Sequence, residues 1–239
     1  MYPITKILCQ NEQLRLSIEP SRLLLRAGGG MEVLSSALLG GGFLHTDTIV
    51  NRHVKKGYNP RNPEMETQEW LEERGYDPRR TVTLLTAAWV ERAEVVEKVW
   101  DHVRLAAIVT AGVSNAARAG KQEPVDGAGT PDPGTINTIL LIDGRTTPGA
   151  MVNAVITATE AKTAALADLE VRDADGALAT GTTTDAVVVA ATQRGNEGEV
   201  LPYAGVASPL GRAVGTAVYQ AVYRVIRRLD PRERTGRRW

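Results

Sequence analysis

The stretch that most constrains the fold of this chain is residues 134–191, in which two apolar runs flank a long helical segment. Residues 135–142 are an apolar run of the length expected for a buried strand. Thr147 and Pro148 follow as a helix start, because threonine caps a first turn and proline suits the first helical position. The second apolar run is 186–191. This order predicts a strand–helix–strand unit.

The helical segment after Pro148 has two distinct faces at 100° per residue. Asn153, Thr157 and Glu160 form a polar stripe along one side of it. A carboxylate at the border of a buried face can have its pKa changed by partial desolvation, so Glu160 is a candidate general base, with a solvated surface glutamate as the alternative. The face predicted to be buried comprises Val152, Val155, Ile156, Thr159, Thr163 and Leu166.

Strand signals also precede this unit. Residues 13–26 have the alternation and the central break of a hairpin, and residues 81–88 and 103–110 are strongly apolar. Strands alternate clearly with helices only in the second half, so the first half is expected to be a meander. We predict an α/β protein, with α+β as the alternative, in which a mixed β-sheet is flanked by helices. One domain spans residues 1–230, and residues 231–239 form a basic flexible tail.

Composition argues against several classes of protein. Lys and Arg number 28 and Asp and Glu number 28, so the formal net charge of +0 does not favour a polyanion such as nucleic acid. The single cysteine, Cys9, excludes an internal disulfide and is expected to be a buried, inert thiol. The chain begins without the apolar core of a signal peptide, and no apolar run reaches the roughly 18 residues of a membrane span. We expect a cytoplasmic protein with neither nucleic acid nor membrane as a partner.

Two local patterns are incomplete versions of catalytic motifs. A Gly-x-Ser-x-Ala sequence around Ser114 follows a predicted strand, as the nucleophile elbow of α/β-hydrolases does. His45, His53 and His102 all precede Ser114, whereas that triad needs a histidine after the serine, so only a serine with a different base stays open. One cysteine and no His-Glu-x-x-His sequence argue against a structural zinc. No metal ligands are predicted, although a metal held by His45, His53 and a distant carboxylate stays open.

Longer blocks of the sequence resemble the adenosylcobinamide amidohydrolase family. The most specific are Thr-Ala-Gly-Val-Ser-Asn-Ala-Ala at 110–117 and Gly-Thr-Thr-Thr-Asp at 181–185. Further blocks are Asn-Arg-His-Val at 51–54, Gly-Thr-Ile-Asn-Thr at 134–138 and Thr-Ala-Thr-Glu-Ala-Lys at 157–162. Together these blocks extend over most of the chain.

The resemblance implies hydrolysis of the amide between the propionyl side chain of the corrin ring and aminopropanol in adenosylcobinamide. The products would be adenosylcobyric acid and 1-amino-2-propanol, as in cobinamide salvage during cobalamin biosynthesis. The corrinoid would be a substrate and not a cofactor, and no cofactor is expected. Metal dependence and homo-oligomerisation stay open. The alternatives are a non-hydrolytic corrinoid carrier and a threonine-nucleophile amidase that acts on another small molecule.

Amide hydrolysis needs a base, a nucleophile and donors for the oxyanion, and these needs select the candidate residues. Glu160 or His53 is the candidate general base, and Asp185 orients the base or takes part in proton transfer. Ser114 or Thr183 is the candidate nucleophile. The candidate substrate-binding residues are Asn51, Asn115, Asn137, Asn153, Thr182 and Thr184.

Overall fold

The computed structural model describes residues 4–100, 103–121, 134–195 and 199–229. His102 and the tail predicted at 231–239 lie outside the described residues. The described strands and helices are β1 (Ile4–Leu8), β2 (Asn11–Glu19), β3 (Arg22–Ser35), β4 (Gly42–His53), α1 (Pro63–Glu72), the 3₁₀ helix η1 (Pro78–Arg80), β5 (Thr81–Thr86), the 3₁₀ helix η2 (Val90–Arg92), β6 (Glu94–Trp100), β7 (Val103–Gly112), β8 (Ala116–Ala117), β9 (Thr135–Asp143), β10 (Arg145–Thr146), α2 (Pro148–Asp168), β11 (Gly181–Thr182), β12 (Ala186–Ala191), β13 (Val200–Leu201) and α3 (Pro209–Arg227).

The predicted meander is present only in β1–β4, because β5 joins β4 in parallel and β6 and β7 lie at the far end of the sheet. β1, β2, β3 and β4 pair with one another in chain order, each antiparallel to the next. Leu14, Leu16 and Ile18 alternate with more exposed residues along β2, so one face of this strand is buried. The hairpin predicted at 13–26 is therefore confirmed.

The strand–helix–strand unit is also confirmed. β9 and β12 are parallel neighbours, and α2 makes the crossover connection that such a pair requires. The Thr147 hydroxyl accepts a hydrogen bond from the Ala150 amide at 3.0 Å, and Pro148 begins the helix. β9 is buried at every position, which is typical of a strand covered on both faces.

The meander and the strand–helix–strand unit belong to one mixed sheet, in the order β1-β2-β3-β12-β9-β7-β6. β4 also pairs with β3, and β5 pairs with β4. Leu140 and Val189 on one face of the sheet pack in a core with α2 and α3. Ile139 and Val188 on the other face pack in a second core with the strands of the meander and β5. The α/β architecture with a mixed sheet and flanking helices is thus as predicted. No helix in the described part of the chain is long and apolar enough to cross a membrane.

The buried face of α2 differs from the prediction. Val152 and Ile156 are 47% and 50% exposed, respectively. The reason is the close approach of α3, where a β-carbon added at Gly215 would lie 3.6 Å from Thr157 Cγ2. A helix packed so closely buries small side chains and leaves its large aliphatic ones outside. The buried residues of α2 are Ala150, Met151, Ala154, Thr157, Ala158, Ala165 and Leu166.

Cys9 lies at the turn between β1 and β2 and is only 3% exposed. Its burial, together with the nearby carboxylates of Asp143 and Glu97, raises the pKa of Cys9 to about 12. Because the thiolate and not the thiol is the nucleophile, the Cys9 side chain is unreactive at neutral pH. The prediction of a buried, inert thiol is consistent with this geometry.

We expect native Cys9 to react with iodoacetamide at pH 8 roughly three orders of magnitude more slowly than the same residue in urea. The thiolate fraction falls about tenfold for each unit by which the pKa exceeds the pH, and an unfolded cysteine has a pKa of about 8.5. Mass spectrometry of the alkylated protein over time measures both rates. Equal rates in the native and unfolded protein would contradict this prediction.

Candidate functional site

A cavity of about 480 Å³ lies where the ends of several strands meet. The chain that leaves β4 and β5 at their C-terminal ends forms one side of the cavity. The first residues of β9 and β12, at their N-terminal ends, form the other side. The volume is within the range of small-molecule sites in proteins. We refer to this space as the large cavity.

The two sides of the large cavity differ in polarity. The side next to β4 and β5 is mainly apolar, and its lining includes Val54, Pro60, Pro63, Leu84 and Leu85. The opposite side, which we call the polar wall, consists of Asn115, Thr135, Asn137, Thr184 and Asp185. A mostly apolar cavity with polar groups gathered on one side is typical of a site that binds and orients an organic ligand.

Asp185 is the best-anchored residue of the polar wall. Its Oδ1 accepts hydrogen bonds from the Ile136 amide at 3.0 Å and the Thr182 hydroxyl at 2.5 Å. Its Oδ2 accepts from the Thr182 amide at 3.1 Å and from Lys162 Nζ at 2.5 Å. These four donors fill the acceptor positions of a carboxylate. Asp185 therefore connects the threonine turn, β9 and α2, and has no free acceptor position for a proton from a ligand.

A chain of buried amides supports the polar wall from behind. Asn137 Nδ2 donates to Asn51 Oδ1 at 2.9 Å and to the Leu85 carbonyl at 2.8 Å. Asn51 Nδ2 donates in turn to Thr110 Oγ1 at 2.9 Å. Both protons of the Asn137 amide are thus used, and Asn137 can offer only its Oδ1 to a ligand.

Asn115 is the least satisfied residue of the polar wall. Its Nδ2 donates to Thr183 Oγ1 at 2.7 Å, but its Oδ1 is buried and has no hydrogen-bond partner among the described residues. The short strand β8, directly after Asn115, pairs with β11 and so joins this turn to the threonine turn at 181–184. The two most specific sequence blocks, 110–117 and 181–185, therefore meet at this site.

The structure brings only some of the predicted residues to the large cavity. Asn115, Asn137, Thr184 and Asp185 line it, whereas Asn51, Thr182 and Thr183 contact those residues from outside the lining. Ser114 is half-buried next to Asn115 and does not belong to the lining. Glu160 is exposed and Asn153 is half-buried on α2, and neither lines the cavity.

His53 lies at the end of β4, directly before the cavity-lining Val54, and does not itself belong to the lining. Its Nδ1 is 3.0 Å from the Ala88 carbonyl oxygen, and its ring stacks on Trp89 with the centroids 4.9 Å apart. A carbonyl oxygen can only accept, so Nδ1 carries the proton and Nε2 is the acceptor nitrogen of the neutral ring. His45, at the other end of β4, bonds to Glu32 at 2.9 Å. The two histidines do not meet, and the described residues contain no cluster of three metal-ligating side chains.

Sequence reasoning missed two features of this site. The first is Lys162, in the 157–162 block, whose Nζ bonds to Asp185 Oδ2 at 2.5 Å. The second feature is a clamp on the loop after β4, in which Arg52 makes a bidentate ion pair with Glu66 at 2.6 and 2.7 Å. The Tyr58 hydroxyl also donates to Glu66. The bonds from Arg52 lower the pKa of Glu66, so the clamp is charged at neutral pH.

We expect Gly134→Ala to destabilise the protein by about 1–3 kcal/mol, the usual cost of overpacking. A β-carbon at Gly134 would lie 2.1 Å from Asn115 Oδ1 and 2.8 Å from the Gly112 carbonyl oxygen, so the polar wall would have to shift. The matched control is Gly149→Ala, whose β-carbon would lie 3.8 Å from the nearest atom, Thr147 Oγ1. Urea denaturation midpoints compare the two, and equal midpoints would refute the tight contact at Gly134.

Residues 6–233 match a protein family that is described as adenosylcobinamide amidohydrolase. An adenosylcobinamide amidohydrolase of Methanosarcina mazei is 33% identical over 80% of this chain and 87% of its own length. One of Halobacterium salinarum is 34% identical over 74% of this chain and 73% of its own. An uncharacterised protein of Methanocaldococcus jannaschii is 34% identical over 56% of this chain and 58% of its own.

Proposed function

This chain belongs to the adenosylcobinamide amidohydrolase family, and we propose that it hydrolyses adenosylcobinamide in its large cavity. The bond cleaved is the amide between the propionyl side chain of the corrin ring and aminopropanol. One water is consumed, and adenosylcobyric acid and 1-amino-2-propanol are released. The corrinoid is the substrate and leaves chemically changed. The protein is thus an enzyme, a C–N hydrolase that acts on a linear amide.

The observation that carries the assignment to this cavity is the meeting of the two most specific sequence blocks at its polar wall, where Asn115 contacts Thr183. Asn115 Nδ2 uses one proton on Thr183, and its second proton can bind the substrate carbonyl. The Oδ1 atom of Asn115 is shielded inside the protein, so Asn115 meets the scissile amide through its Nδ2 donor.

The remaining surfaces of the cavity suit the rest of the substrate. The apolar side, with Val54, Leu84 and Leu85, fits the hydrocarbon edge of a corrin ring. Lys55 and Gly57 belong to the lining and are exposed, so the cavity is open to solvent there. The macrocycle can cover this opening while its side chain reaches the polar wall. Asn137 Oδ1 lies 3.3 Å from Thr135 Oγ1 and has a second lone pair that can accept from the hydroxyl of aminopropanol.

Among the predicted bases we favour His53, which adjoins the cavity-lining Val54, although neither His53 nor Glu160 belongs to the lining. His53 Nδ1 donates to the Ala88 carbonyl, which leaves Nε2 as the nitrogen that can take a proton from water. Glu160 is exposed on α2, outside the cavity lining. Asp185, with its four donors, positions the polar wall, and Thr183 positions Asn115. The role of Ser114 as a nucleophile rests on its residue type and its neighbour Asn115.

We also propose that the enzyme acts in the cytoplasm, which its single buried cysteine supports. The formal net charge of +0 supports a small molecule, and not a nucleic acid, as the partner. The exposed Val152 and Ile156 on α2 are the surface that would support self-association into a homo-oligomer.

We expect Asn115→Ala to lower kcat/KM for adenosylcobinamide by about 100-fold or more, the usual loss for a donor that stabilises an acyl-transfer transition state. Chromatography of adenosylcobyric acid and detection of released aminopropanol measure the rate. Asn153→Ala, on α2 and outside the cavity lining, is the matched control and should remain within about twofold of wild type. Wild-type protein that binds the corrinoid tightly and releases no aminopropanol would instead favour the carrier function.

We expect His53→Gln to lower kcat by about two orders of magnitude, because glutamine keeps the polarity of the side chain but cannot take a proton. Glu160→Gln should keep nearly the wild-type rate. The same product assay, run at one pH, compares these variants. A His53→Gln enzyme with wild-type turnover would remove His53 from the mechanism.

A further inference from the structure

We propose that Lys162 forms an oxyanion subsite behind the polar wall, in a second, smaller cavity. This cavity has a volume of about 120 Å³, and its lining includes Lys162, Thr159 and Thr138. It shares Ser36, Asp185 and Ala186 with the large cavity, so the two spaces adjoin at Asp185. The inference rests on the proposed function, because it assigns a part of the substrate to this subsite.

Lys162 has donors to spare at this position. Its side chain is 14% exposed, and its Nζ bonds to Asp185 Oδ2 at 2.5 Å. Among the described residues, Asp185 is the only side chain that forms a hydrogen bond or ion pair with Nζ, whereas an ammonium group has three N–H donors. Two donors therefore remain for a group that enters the small cavity. The shielding of Lys162 from solvent strengthens their attraction for negative charge.

Asp185 leaves room for a further acceptor on Lys162. Its carboxylate is also bound by three donors besides Lys162, namely the Ile136 amide and the amide and hydroxyl of Thr182. The ion pair is neutral as a whole, so an uncharged amide enters without repulsion. A ligand oxygen that gains negative charge then binds the two remaining N–H donors of Lys162.

Amide hydrolysis produces such an oxygen. The oxygen of water attacks the carbonyl carbon and gives one proton to the base, and the π electrons of the C=O bond move to the carbonyl oxygen. As C=O re-forms, the C–N bond breaks with its electron pair on nitrogen, which takes that proton from the base and leaves as 1-amino-2-propanol. The acyl part is released as adenosylcobyric acid, which ionises to its carboxylate. Because the charge is absent from the substrate and present in the transition state and product, Lys162 should affect kcat more than KM.

The test uses Lys162→Met, which keeps the length of the side chain and removes its charge. We expect kcat to fall by about 100-fold or more, on the scale of losing an oxyanion donor, with KM within about threefold of wild type. Equilibrium dialysis should show that affinity for adenosylcobyric acid falls at least fivefold more than affinity for adenosylcobinamide. A lysine that only supports the fold would weaken both ligands equally.

The matched control is Lys121→Met, since Lys121 also pairs with carboxylates, at Asp173 and Asp175, but lines neither cavity. It should leave kcat and both affinities unchanged. Unchanged kcat in Lys162→Met, or an equal loss of affinity for the carboxylate and the amide ligand, would overturn the subsite. Wild-type protein that releases no aminopropanol would overturn the proposed function itself, which separates the two failures.

Discussion

The carboxylate of Asp185 is the interaction on which the arrangement of the site depends. It receives hydrogen bonds from the start of β9, from the adjacent threonine turn and from α2. These three segments are far from one another in sequence. A β-carbon at Gly181 would lie 2.4 Å from its Oδ2, so the residue that opens the threonine turn is held to glycine. Without this anchor the parallel strands β9 and β12 would still pair, but their N-terminal ends would not form a wall with fixed donors and acceptors.

The polar wall lies where two pairs of parallel strands meet. Ligands of open α/β sheets commonly bind outside the carboxyl ends of parallel strands. Here the carboxyl ends of the parallel pair β4 and β5 provide the apolar side, whereas the amino ends of the parallel pair β9 and β12 provide the polar one. The buried amides of Asn51 and Asn137 connect the two pairs. Of the buried polar atoms without a partner in the described part of the chain, Asn115 Oδ1 alone belongs to a residue that lines the large cavity.

The local order of strands and helices was predictable, because alternation, caps and turn residues are properties of short segments. The strand–helix–strand unit at 134–191 and the hairpin at 13–26 followed from such signals. The rotation of α2 was not predictable, since hydrophobic size favoured Val152 and Ile156 over the small residues that α3 can accept. The same rotation of α2 leaves Glu160 exposed and brings Lys162 into contact with Asp185. The amide chain from Asn51 to Asn137 escaped prediction because its partners are far apart in sequence and lie in apolar strands.

The apolar side of the cavity depends on a second ion pair. The loop after β4 has little regular structure, and Arg52, Glu66 and Tyr58 hold it against α1. Arg52 also lies 4.7 Å from the ring centre of Trp70, which adds a cation–π contact. The pKa of Glu66 is lower in the folded state than in the unfolded state. The clamp therefore stabilises the fold at pH values above the unfolded pKa of Glu66, and this contribution is lost as the pH falls through its folded pKa. The polar wall does not depend on the clamp. It is anchored by a separate ion pair, between Lys162 and Asp185, and by the backbone of β9. Acid that protonates Glu66 should therefore loosen the surface that receives the corrin ring.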